Sequence, residues 1–181
     1  MIVEYSEEYS EQVKDLLVEL QKYISNIDIE GYNIVGNQYR EKYFKEMLKN
    51  VDEKNGKIFL YKENEDIIGL VTGIINNDKI TTFDFNAPKR GRITELVVDK
   101  NYRGRGIGKV LLQNVSNYLK SQGCEKIMIA VFGYNEKAIK FYQNNGFHIR
   151  MLDMIENEQT IKEGEDLNGY VSKKKNKRRK K

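Results

Sequence analysis

A chain of 181 residues with one cysteine and one histidine has no internal disulfide and no cluster with zinc-ligand spacing, so no metal site is expected. The longest apolar-rich run, Ile67 to Ile75, contains Thr72 and two glycines and is too short to cross a bilayer. Met1 to Glu8 lacks the basic-then-apolar pattern of a secretory leader, so a cytoplasmic protein is expected. The net charge of +4 conceals a division: residues 173–181 carry eight basic side chains and no acid, and without them 23 basic residues face 27 acidic ones.

Ile2 to Tyr5 reads as a short strand. Ser6 or Ser10 is placed to cap a helix whose apolar stripe is Val13, Leu16, Leu17, Leu20 and Ile24. After a turn-rich stretch over 26–36, a second helix is predicted from about Gln38 to Asn50, with Tyr39, Tyr43, Phe44, Met47 and Leu48 inward. Lys57 to Tyr61 and Ile67 to Ile75 form a hairpin closed by a tight turn at Glu63 to Asp66. The long connection over 76–91 holds Phe83, Asp84, Phe85 and the only proline, Pro88; a loop of that length is usually functional or mobile.

Next comes a strand built on Ile93, Thr94, Leu96, Val97 and Val98, then Arg103-Gly-Arg-Gly-Ile-Gly108, then a helix in which Ile107, Val110, Leu111, Val115, Tyr118 and Leu119 recur at helical spacing. Glycines on alternate positions allow positive φ and close approach to the backbone. The first amides of a helix have no intrahelical partner, and the dipole adds partial positive charge there. With Arg103, Arg105 and Lys109 alongside, this is a phosphate cradle. A dinucleotide fingerprint is excluded, since its third glycine would fall on Lys109, and a P-loop fails at Arg103 and Val110.

The helix ends near Gly123, a strand follows from Lys126 to Phe132, and Asn135 caps a helix that runs to Asn145 and stops at Gly146. Phe147 to Met154 reads as a last strand. The order β-α-α-β-β-β-α-β-α-β predicts an α/β (α+β) fold, a mixed and largely antiparallel central sheet with helices on both faces. One domain is expected over 1–155, and a polar linker with a polybasic, disordered tail over 156–181.

Arg103, Gly106 and Gly108 fit R-x-x-G-x-G, which between a strand and a helix resembles the pyrophosphate loop of the GNAT superfamily of acyl-CoA N-acyltransferases. Asn135 to Phe147 is similar to a second segment of that superfamily, N-x-x-A-x-x-F-Y-x-x-x-G-F, and the two matches together span about Arg92 to Phe147. The resemblance implies acetyl transfer from acetyl-CoA to a primary amine by direct attack in a ternary complex, without a covalent enzyme intermediate. Cys124, in a turn with no histidine motif near it, and His148, in a strand, suit no covalent route.

The cofactor-binding residues implied are Arg103, Gly104, Arg105, Gly106, Ile107, Gly108 and Lys109 for the pyrophosphate, and the edge Leu96, Val97 and Val98 for the pantetheine arm. The Val98 amide would polarise the thioester carbonyl. Asn135 would lie beside the cofactor as well as capping its helix. Tyr142 matches the tyrosine that protonates the leaving thiolate, and so belongs to both the cofactor site and the chemistry.

An alkylammonium, with a pKa of roughly 10, must lose a proton before it attacks. Glu95 is the leading base: strand alternation puts it on the face of Ile93 and Val97, where desolvation would raise its pKa. Asp84 is the second candidate. The acidic body favours a cationic acceptor, whether a polyamine, an aminoglycoside, a lysine side chain or a protein N-terminus. Two rival functions remain: a silent acyl-CoA-binding sensor, and a protein held to nucleic acid or ribosomes through residues 173–181. The same tail could also bind an anionic membrane surface or fold back on the body, and a homodimer is compatible with every reading.

Overall fold

A computed structural model of the protein describes residues 1–77 and 80–156. The chain divides into two units, Met1–His148 and a second beginning at Ile149. The basic run over 173–181, and nearly all of the expected linker, lie outside the described residues.

The first unit runs β1 (Ile2–Glu4), α1 (Ser10–Ile27), α2 (Tyr39–Glu53), β2 (Lys57–Glu63), β3 (Asp66–Asn77), β4 (Ile80–Thr81), β5 (Asn86–Ala87), β6 (Arg90–Val98), α3 (Ile107–Ser121), β7 (Lys126–Ile129) and α4 (Glu136–Asn144). Five strands make one sheet in the order β1-β2-β3-β6-β7. Its neighbours are antiparallel except β6 and β7, which are parallel. The expected mixed, largely antiparallel sheet is therefore present.

The helical stripes divide between its two faces. Val13, Leu16 and Leu17 of α1 and Phe44 and Met47 of α2 form one core with Leu60, Leu70 and Val97. Ile107, Leu111, Val115 and Leu119 of α3 form the other with Val71 and Ile93. The α3 contact is close because the strands beneath it are bare: a Cβ on Gly73 would lie 2.3 Å from Val115 Cγ2.

The ladder between β3 and β6 slips by one residue at its centre. Thr72 lies opposite Glu95 and Gly73 opposite Ile93, so Thr94 has no partner of its own. An extra residue of this kind bends the strand and resets which face its side chains occupy. Gly91 and Ile93, ahead of the bulge, face α3; Val97, beyond it, packs with α1 and α2. Glu95 therefore shares a face with Val97 but not with Ile93. Simple alternation, which put all three together, is corrected by the bulge.

Four other expectations change. Neither Ser6 nor Ser10 caps α1 through its side chain: a 3-10 turn over Glu7–Tyr9 comes first, and the Ser10 hydroxyl donates back to the Glu7 carbonyl at 2.6 Å. The long connection contains the small β4–β5 hairpin. Strand β7 stops at Ile129 rather than Phe132.

Finally, Phe147 to Met154 forms no strand. The Phe147 amide is spent on the end of α4, donating to the Tyr142 carbonyl at 3.0 Å while Gly146 turns at φ +88°. In the second unit, residues 149–156 carry no helix or strand. No helix among the described residues is long and apolar enough to cross a membrane.

Candidate active site

Strand β6 is paired on both sides for only half its length. Arg90 to Ile93 match Lys126 to Ile129 of β7, and beyond Ile93 the two strands part at the bulge. The Asp99 amide donates to Ile68 on the β3 side at 3.0 Å. Successive amides of a strand alternate in direction, so those of Val98 and Leu96 face the opened edge. Backbone donors on an unpaired edge can take up a ligand as an added strand would be taken up.

The opened edge leads into the glycine loop. Gly104 and Gly106 adopt φ +82° and +80°, in the left-handed region, and nothing lies within 4 Å of a Cβ placed on either. The Lys109 and Val110 amides return to the Gly106 carbonyl at 3.0 and 3.2 Å. The amides ahead of them, at the start of α3, have no intrahelical partner. Gly108 lies against the Phe141 ring and Val98, joining the loop to α4 and the strand edge.

The arginines of this loop already hold carboxylates. Arg105 clasps Glu63 through two bonds of 3.0 and 2.7 Å. Arg103 donates to Glu19 at 2.7 Å and to the Val98 carbonyl at 2.8 Å. Among the described residues, the donors left at the cradle are the loop amides, with the exposed Lys109 beside them. Asn135 caps α4, accepting from the Ala138 amide at 3.1 Å, and also accepts from the Tyr23 hydroxyl at 3.0 Å.

Glu95 is 5 % exposed between the sheet and α2. The Tyr43 hydroxyl donates to its Oε1 at 2.7 Å and the Thr94 hydroxyl donates to Oε2; the Thr72 hydroxyl, opposite Glu95 on β3, donates to Met47 Sδ at 3.8 Å. Burial raises the carboxyl above its ordinary 4.5, against the downward pull of those three hydroxyls. No cation acts on it among the described residues, so its proton affinity answers to burial and neutral donors alone. Tyr43 stacks on Tyr39 with ring centroids 4.8 Å apart, and burial next to the Glu95 charge raises both phenols.

Tyr142, 8 % exposed on α4, packs edge-on against Phe141 and Phe147. Burial raises its phenol, which keeps it protonated at neutral pH. Among the described residues its hydroxyl has no hydrogen-bond partner, so it remains available as a donor. Asp84, in contrast, lies exposed beyond β4 and accepts from the Thr82 hydroxyl at 2.8 Å. Cys124 is buried and His148 exposed. No metal-binding cluster is present among the described residues.

The model of the acetyltransferase (GNAT) family matches residues 21–147. The chain belongs to the GNAT family. It is 31 % identical over 98 residues to a glucosamine 6-phosphate N-acetyltransferase of Trypanosoma brucei brucei, covering 54 % of this chain and 62 % of that protein. The chain thus spans less than two thirds of that relative's length. It is 30 % identical over 146 residues to N-alpha-acetyltransferase 30 of Schizosaccharomyces pombe, covering 81 % of this chain and 82 % of that one. In fold, it superimposes on a tetramutant protein from Bacillus halodurans with a TM-score of 0.75, at 21 % identity over 87 % of this chain and 99 % of that chain.

Within this GNAT chain, the sequence motifs locate the loop, the strand edge and both catalytic candidates. They miss the groups that surround Glu95. Tyr43 and Thr72 carry no motif, and their only signal is the inward face predicted for α2 and the central place of β3. The carboxylates that engage the two arginines, Glu19 and Glu63, are distant in sequence and had no signal.

Proposed function

We propose that this protein is an N-acetyltransferase that moves the acetyl group of acetyl-CoA to a primary amine by direct attack. The observation that carries the reading is the half-paired β6: its Leu96 and Val98 amides stand open beside the amide-rich start of α3, with a buried carboxylate on the same strand. Bound acetyl-CoA supplies an activated thioester. The loop geometry suits its pyrophosphate, because Gly104 and Gly106 leave open space where any side chain would stand.

Residues of the chain account for the remaining demands. The edge amides pair with the amide groups of the pantetheine arm, and the Val98 amide donates to the thioester oxygen as negative charge grows on it. Tyr142, protonated and without a partner for its hydroxyl among the described residues, gives its proton to the departing sulfur. Glu95, with a raised pKa, takes the proton that an ammonium must lose. Asn135 fixes the start of α4 and hence the approach of Tyr142. The acceptor is a primary amine, and the acidic balance of residues 1–172 favours a cationic one.

The test is thiol release from acetyl-CoA across a panel of amino sugars, polyamines, aminoglycosides, and lysine or N-terminal peptides, with calorimetric acetyl-CoA binding on the same sample. Turnover with one acceptor class supports the reading. Binding without turnover across the panel would favour an acyl-CoA sensor. Absence of binding would overturn the reading.

A further inference from the structure

Glu95 lies behind its neighbours. With 5 % of its surface exposed, its carboxylate meets the outside through the groups bonded to it. Thr72, 1 % exposed, is buried deeper still. Tyr43 and Thr94 are half-buried and occupy one carboxylate oxygen each. Burial beside Glu95 raises the Tyr43 phenol, but a phenol still gives up and accepts a proton more readily than an alcohol, so Tyr43 is the better proton carrier of the two. It is also held firmly: its ring stacks on Tyr39 at an interplanar angle of 13°.

We infer that Glu95 does not touch the acceptor amine and that Tyr43 relays the proton between them. This inference rests on Glu95 being the base. In the step proposed, the ammonium gives a proton to the Tyr43 oxygen while the Tyr43 hydroxyl proton passes to Glu95 Oε1. Tyr43 ends as it began, and Glu95 becomes neutral. The freed nitrogen pair forms the C–N bond to the thioester carbonyl carbon and the C–S bond breaks. The sulfur takes the Tyr142 proton, and the second nitrogen proton goes to the Tyr142 oxygen. Glu95 later returns its proton to solvent by the same route through Tyr43.

The titrating surroundings are few. From α2, Tyr43 and Tyr39 face Glu95, and Glu46 acts on Tyr43. From β3 and β6, among the described residues, come the hydroxyls of Thr72 and Thr94. Because the Tyr43 bond favours the charged carboxylate, its loss raises the Glu95 pKa further.

The experiment compares Tyr43→Phe and Glu95→Gln with wild type in single-turnover acetyl transfer against pH, using an amine that the wild-type protein acetylates. Phenylalanine keeps the stacked ring, so the fold and acetyl-CoA affinity are preserved. The expected result for Tyr43→Phe is a rate lowered by about tenfold to hundredfold and an acid limb moved upward by about one pH unit. A proton inventory in mixed light and heavy water is expected to be curved for wild type, from two protons in flight, and linear for Tyr43→Phe.

A wild-type profile and rate in Tyr43→Phe, with the acid limb lost in Glu95→Gln, would overturn the relay and leave Glu95 as base. An acid limb unchanged in Glu95→Gln would remove Glu95 itself, whatever Tyr43 does. A linear inventory in the wild-type protein would also overturn the relay.

Discussion

The Tyr43 hydroxyl and the Glu95 carboxylate meet at 2.7 Å although 52 residues separate them, across the contact between α2 and the central sheet. That contact exists because the bulge at Thr94 turns Glu95 toward α2; without it Glu95 would stay on the face of Ile93, against α3. A one-residue irregularity therefore decides which helix the buried carboxylate answers to.

The raised Glu95 pKa has a consequence for stability. Between 4.5 and the higher folded value, the native carboxyl holds a proton that the unfolded one has released. The native state then binds more protons, so stability falls as pH rises through that window. Chemical denaturation at a series of pH values should show this decline in wild type and a flatter dependence in Glu95→Gln. Parallel curves would mean that Glu95 titrates normally.

Tyr142→Phe removes a hydroxyl that bonds to no described residue, so the thermal midpoint should not fall. Turnover should fall by about tenfold to hundredfold, with acetyl-CoA affinity little changed. Steady-state kinetics beside calorimetry checks this. Equal losses in turnover and affinity would make Tyr142 a packing residue.

Glu63→Gln frees Arg105 from its two-bond clasp. The guanidinium then becomes available to the anion at the cradle, so acetyl-CoA binding should strengthen, by at most about fivefold given the exposure of the pair. The gain should shrink as salt is raised. Titrations at two ionic strengths would show it; weaker binding would mean that Glu63 positions Arg105 rather than competing for it.

Gly73→Ala puts a Cβ 2.3 Å from Val115 Cγ2, under the middle of α3. A backbone or helix shift must follow, costing about 1–3 kcal/mol. The urea midpoint should fall with little change in slope.

Much of this arrangement was legible in the sequence. The helical stripes of α1 and α3, the Asn135 cap and the glycine loop are local patterns, and local patterns survive folding. The bulge was not legible, because Ile93 to Val98 reads the same whether or not Thr94 is skipped; the slip exists only in the pairing with β3. Phe147 to Met154 failed for a related reason, since a strand requires a partner edge that no single segment specifies. The pairing of Arg103 and Arg105 with Glu19 and Glu63 joins residues far apart in the chain, so both arginines read as free phosphate ligands. Glu95 was identified correctly as buried, but its company was not.

The central claim is that the glycine loop and the opened β6 edge hold acetyl-CoA. Calorimetric titration of acetyl-CoA into wild type and Gly106→Asp tests it most directly, since the variant adds bulk and negative charge where the pyrophosphate would lie. Saturable one-to-one binding in wild type, lost in a variant that still shows a cooperative unfolding transition, is the predicted result. Absence of binding in wild type, or equal binding in both, would contradict the account.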